Sequence, residues 1–201
     1  MTTEKLMSIS KEDINEAAKR LEKTDLPDLV EMLSLKEDNI RYQAFLLLMS
    51  RSAIFNDVYP FWDIFCDKIK SENSYQRSIG LMLIAENARW DTRNRTEGII
   101  DDYLVLLQDE KPITVRQCVQ SLGKIVAYKP ELSCKIASKL ISFDISAVRE
   151  TMRKVILFDI LNVLILIRQK YKTDEMESFI QNALSSGILD EKSKKMIKVL
   201  L

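Results

Sequence analysis

The chain has 201 residues, 30 Lys and Arg against 30 Asp and Glu, 46% hydrophobic residues and no histidine. That balance describes one globular domain, residues 1–201, and not a disordered chain. It excludes every His-based triad, general base and metal site, and a formal net charge of zero names no partner.

Gly and Pro number four each, too few for the turns of an all-β protein. With abundant Leu, Ile, Lys and Glu, the composition predicts an all-helical fold. The opening MTTEKLMSISKED has no apolar segment of the secretory type. A helix over about 10–23 follows and reads as a cap. From there a plan recurs: an acidic amphipathic helix, a short polar turn, then a more apolar helix that opens with a cation.

The second helices of these pairs stack in chain order. They are NIRYQAFLLLM from Asn39, SYQRSIGLMLI from Ser74, ITVRQCVQSLGKI from Ile113, ISAVRETMRKVIL from Ile145 and KSKKMIKVLL from Lys192. Arg41, Gln76, Arg116, Arg149 and Lys194 align, at spacings of 35, 40, 33 and 45 residues. Apolar residues three and six places later keep one helix face apolar. Pro27, Pro60, Pro112 and Pro130 fall at proposed helix starts, where a missing N–H costs nothing. Ser10 and Thr173 are expected N-caps. The longest apolar run, 155–167, contains Asp159 and Asn162 and is too short to span a membrane. It reads as a buried helix, with a bend expected near those two polar residues. Cys66, Cys118 and Cys134 match no disulfide or zinc framework, so they are expected to be reduced core residues of a cytoplasmic protein.

DEKPITVRQCVQSLGKI (109–125) and FDISAVRETMRKV (143–155) resemble the HEAT pattern, and the period fits that family. The resemblance runs from about residue 25 to the end. It implies a right-handed α-α superhelix, an armadillo-type α-solenoid of about five HEAT-like helix pairs behind an N-terminal capping helix. Such an array has one continuous core, because no repeat buries its apolar face alone.

Taken as 39–51, 74–89, 112–129, 145–172 and 190–201, the second helices carry 17 Lys and Arg against 5 Asp and Glu. In solenoids of this kind the second helices line the concave face, so the expectation is a basic inner groove. Arg41, Arg77, Arg116, Arg149 and Arg153 are its candidate contacts. Such a groove suits an acidic protein segment or nucleic acid, bound in a salt-sensitive way. The competing reading makes these cations structural. The HEAT resemblance itself implies arginines that bond the inter-repeat turn at Arg41, Arg116 and Arg149.

The stretch ARWDTRNR (88–95) supplies the second functional reading. Trp90-Asp91-Thr92, ahead of a helix pair whose second helix opens with Val-Arg, is similar to HEAT-like DNA alkylation-repair glycosylases. In that family a Trp-Asp-Thr-x-Asp motif sets an aromatic wall and a catalytic carboxylate in the groove. The resemblance makes Trp90 the aromatic and Arg116 the phosphate-facing cation. Asn94 stands where the carboxylate belongs, and an amide cannot carry its charge, so any such protein would be catalytically degenerate. The plainer reading is a loop in which Trp90 plugs a gap and Asp91 or Thr92 caps the next helix. The sequence therefore points to a non-enzymatic binding or scaffold module, with no cofactor, metal or membrane partner. A DNA-binding relative of the glycosylases is the alternative.

Overall fold

A computed structural model describes all 201 residues. The protein is all helical, with twelve α-helices, six short 3₁₀ turns and no strand. It divides into two compact units, Met1–Arg95 and Thr96–Leu201.

The first unit holds α1 (Thr3–Met7), α2 (Ile14–Arg20), α3 (Leu26–Met32), α4 (Asp38–Ser52), α5 (Trp62–Ile69) and α6 (Ser74–Asn87). The expected cap over 10–23 is shorter than its sequence pattern, and α1 precedes it with Leu6 fully buried. Helix α4 shows no strongly one-sided pattern, and the fold covers it with α1, α2, α3 and α6. Trp62 and Phe65 are fully buried on α5, which packs on α6. Trp62 and Phe65 of the aromatic run 59–65 thus contribute core.

The second unit takes most of α7 (Arg95–Val105), then α8 (Pro112–Tyr128), α9 (Ser133–Ile141), α10 (Glu150–Arg168), α11 (Asp174–Ser185) and α12 (Glu191–Leu200). Helix α10 is central here and lies against α8, α9, α11 and α12. Eight of its apolar residues between Ile156 and Ile167 are buried, each worth about 1.5–3 kcal/mol of transfer free energy. The helix runs unbroken through Asp159 and Asn162. Asn162 returns its side-chain amide to the Phe158 carbonyl at 2.9 Å, one turn back.

Several helix starts follow the local signals, although α2 begins at Ile14 behind Asp13 and not at the expected cap Ser10. Thr173 accepts from the Met176 amide, Asn73 from Tyr75 and Asp190 from Ser193. Pro112 is the first residue of α8, and Pro27 lies in the first turn of α3. Pro60 and Pro130 sit in the 3₁₀ turns that lead into α5 and α9. Helix ends behave differently. No glycine has a positive φ, and Asn94, at φ 53°, is the one residue that does. The left-handed glycine that closes many helices is therefore absent, and the last carbonyls of each helix need other donors.

The cysteines are free, but they are not all core: Cys118 is buried, Cys66 half-buried and Cys134 exposed. The Cys134 thiol lies 3.2 Å from the Tyr171 hydroxyl.

Gly80 on α6 lets that helix approach α5 closely. A Cβ there would lie 2.7 Å from the Phe65 carbonyl oxygen and 3.0 Å from the Ile69 amide nitrogen, both backbone atoms of α5. Gly80→Ala is expected to destabilise the protein by about 1–3 kcal/mol. Gly98→Ala, where a Cβ meets nothing within 4 Å, is expected to stabilise it by about 0.5–1 kcal/mol. Urea denaturation of the two variants checks both signs.

Candidate binding site

Three of the five candidate arginines share one geometry. Arg41, Arg77 and Arg153 are each the fourth residue of their helix. Arg41 donates to the carbonyls of Leu35 (2.8 Å) and Lys36 (3.4 Å) and pairs with Asp38. Arg77 donates to those of Ser71 (2.9 Å) and Glu72 (2.8 Å). Arg153 donates to those of Val148 (2.9 Å) and Ser146 (2.7 Å). Each guanidinium folds back onto the turn that precedes its helix. In structural register, Arg77 and Arg153, not Gln76 and Arg149, are the partners of Arg41. Gln76 instead donates to the Leu33 carbonyl (2.7 Å) and accepts from Lys68 (2.5 Å). Burial, with Arg41 nearby, holds the Lys68 ammonium below its usual range.

Arg116 does something else. Its Nε lies 2.7 Å from Oδ2 of Asp159, and Gln120 donates to Oδ1 at 3.1 Å. Asp159 is buried in the middle of α10, so this bond neutralises a carboxylate inside the apolar run.

The Trp-Asp loop is held just as firmly. Trp90 donates its indole N–H to the Ser52 carbonyl at 2.6 Å, at the end of α4. Asp91 is 4% exposed. Its Oδ1 accepts from the Tyr59 hydroxyl (2.8 Å) and from the amides of Arg95 (3.0 Å) and Arg93 (3.3 Å). Asp91 therefore closes the loop onto the first residue of α7. Burial and the Asp91 bond push the Tyr59 phenol up to about 12. Asn94 is exposed, and its left-handed backbone is one that Asn tolerates better than most residues. That conformation gives position 94 a backbone reason for its amide.

Arg149 stands apart from the other cations. It is exposed, immediately precedes α10 and makes no side-chain hydrogen bond or ion pair. It lines a cleft of about 730 Å³ lying wholly within the second unit. The cleft runs between α7, the start of α8, the end of α9 and the turn before α10. Leu104, Leu107 and Val115 line it as buried residues; Phe143 and Val148 are half-buried, and Val105 is 68% exposed. Lys139, on α9, also lines it, and its ammonium is likewise without a partner. The sequence pattern points away from Lys139, because the charge imbalance lies on the second helices and Lys139 is on a first helix.

The carboxylates of the cleft are engaged. Asp101 pairs with Lys135 at 2.7 Å and Glu110 with Lys111 at 3.3 Å. Asp109 accepts from the Lys111 amide at 2.8 Å, and Asp144 from the Ser146 amide and hydroxyl at 2.9 and 2.6 Å. The Ser146 bonds hold the Asp144 carboxyl below its usual range.

No three Cys, Asp or Glu side chains gather as a metal ion would need. No helix is long and apolar enough to cross a membrane. Comparison of the chain with family models, curated proteins and solved structures returned no match.

Two outcomes test the structural roles. Asp91→Ala is expected to cost about 1–2 kcal/mol, the range of a lost helix cap, and to return Tyr59 toward the ordinary phenol value near 10. The sign follows from linkage: the folded phenol lies above its unfolded value, so its contribution is complete below pH 10 and lost as pH rises toward 12. A tyrosinate absorbance titration should show one phenol moving to lower pH in the variant. Arg116→Met is expected to cost about 3 kcal/mol, because it strands a buried carboxylate. Adding Asp159→Leu should recover most of that loss, which a double-mutant cycle in urea measures.

Proposed function

We propose that the chain is a HEAT-like α-solenoid, a right-handed α-α superhelix of about five helix pairs, and acts as a non-enzymatic binding module for an acidic protein segment. The repeated arginine at the fourth position of α4, α6 and α10 supports the repeat reading. The binding reading is carried by one observation. Arg149 and Lys139 are left without partners, and they line the same apolar cleft. A cation that the fold does not use is free to meet a ligand. A cytoplasmic setting belongs to the same proposal and agrees with three free cysteines.

The DNA-binding alternative has less support. It needs Trp90 and Asp91 available to a ligand, and both are bonded into the fold. It also needs Arg116 on phosphate, and Arg116 is paired with Asp159.

Fluorescence anisotropy with a labelled peptide carrying Glu and Asp among apolar residues and with a labelled duplex DNA separates the readings. Binding of the peptide, weakened about tenfold by Arg149→Glu and further by salt, is the expected result. Duplex binding at low salt without peptide binding would replace this reading with the nucleic-acid one.

A further inference from the structure

The cleft of the second unit is more selective than a basic surface. Its two unpartnered cations share their rim with Asp109, Glu110 and Asp144. Glu110 is neutralised by Lys111. Asp144 is bonded by the N–H and O–H of Ser146, which carry no charge, so it keeps its negative charge. A run of negative charge would gain at Lys139 and Arg149 and lose at Asp144. A polyanion is therefore a poor fit, and so is a uniformly acidic stretch.

The walls ask for something else. Leu104, Leu107, Val115, Phe143 and Val148 offer apolar surface inside a volume of about 730 Å³. That volume lies in the range of specific binding clefts. Such clefts are filled by aromatic or large aliphatic side chains, which anchor binding by leaving water.

Resting on the reading that this protein binds an acidic protein segment, we infer that the occupant is a short segment of a partner protein with one bulky apolar anchor. The anchor enters between α7, α8 and the turn before α10, and one or two carboxylates beside it meet Lys139 and Arg149. Placement of charge, more than its amount, decides recognition here. The cation–carboxylate contacts sit at an open rim and set register and encounter rate, while the anchor supplies most of the affinity. Two ionic contacts also imply a shallow salt dependence, unlike the steep one of phosphate-backbone binding.

The test uses the full chain and two labelled peptides that share one pattern of carboxylates around a central residue, Phe in one and Ala in the other. The Phe peptide is expected to bind about tenfold more tightly than the Ala peptide. Ala147 lines the cleft and is exposed, so Ala147→Trp should fill it from the surface without disturbing the core. This variant is expected to keep its helical circular dichroism and to erase the preference for Phe. Arg149→Glu with Lys139→Glu should weaken both peptides. Equal binding of the two peptides, or a preference that survives Ala147→Trp, overturns the inference while leaving the acidic-segment reading in place. Failure of both peptides to bind overturns that reading as well.

Discussion

An all-helical chain must satisfy the carbonyls at the end of every helix, and in its first unit this protein does so largely with side chains. A helix leaves its last carbonyls without an internal donor. The common remedy, a glycine in left-handed conformation, is absent throughout. In its place Arg51 reaches the Ala18 and Lys19 carbonyls at the end of α2, at 2.9 and 3.2 Å. Gln76 and Arg41 meet the carbonyls just beyond α3, and Arg77 those beyond α5. Trp90 and Arg89 meet those at the end of α4. These donors come from the longer helices or their ends. Most of their bonds also tie neighbouring helices together, so closure of helix ends and packing of helices are one problem with one solution.

This constraint gives much of the charge segregation a structural cause. Seventeen cations on the second helices look in sequence like an electrostatic surface. Several are donors to backbone carbonyls, and Arg51 and Arg116 also pair with carboxylates held away from water. Such an arginine is already committed to the fold by its hydrogen bonds. Turning it toward a ligand would strand its partners, at about 1–3 kcal/mol for each buried group left unsatisfied. Arg149 carries no such obligation, which separates it from Arg41, Arg77, Arg116 and Arg153.

Local signals and global ones were legible to different degrees. The helical class, the second helices, the cap at Thr173 and the helix start at Pro112 follow from nearest neighbours in the chain, and the structure has them. The register of the arginines did not follow. Gln76 and Arg77 are adjacent, while Arg149 and Arg153 lie four apart at the head of one helix, and the choice in each pair depends on where that helix begins. The need for an Asp159 partner was open to inference: a carboxylate inside VILFDILNVLILI needs a cation or a donor. What sequence could not supply was which cation, because Arg116 lies 43 residues away. Lys139 was invisible for a related reason. It belongs to a first helix, and only the fold brings it to the cleft that Arg149 lines.

The Trp-Asp loop and the cleft make the same point from opposite sides. Trp90 and Asp91 are conspicuous in sequence, a rare aromatic beside an acid among arginines, and the fold consumes the polar atoms that made them conspicuous. Tyr59, Ser52 and the first amide of α7 account for them. Lys139 is ordinary in sequence and Arg149 only one aligned cation among several, yet both are unaccounted for in structure. Satisfied polar groups hold a fold together, and unsatisfied exposed ones next to apolar walls are where a fold can still gain free energy from a partner. On that criterion the cleft of the second unit is the surface we propose for binding, and the polar atoms of Trp90 and Asp91 belong to the framework.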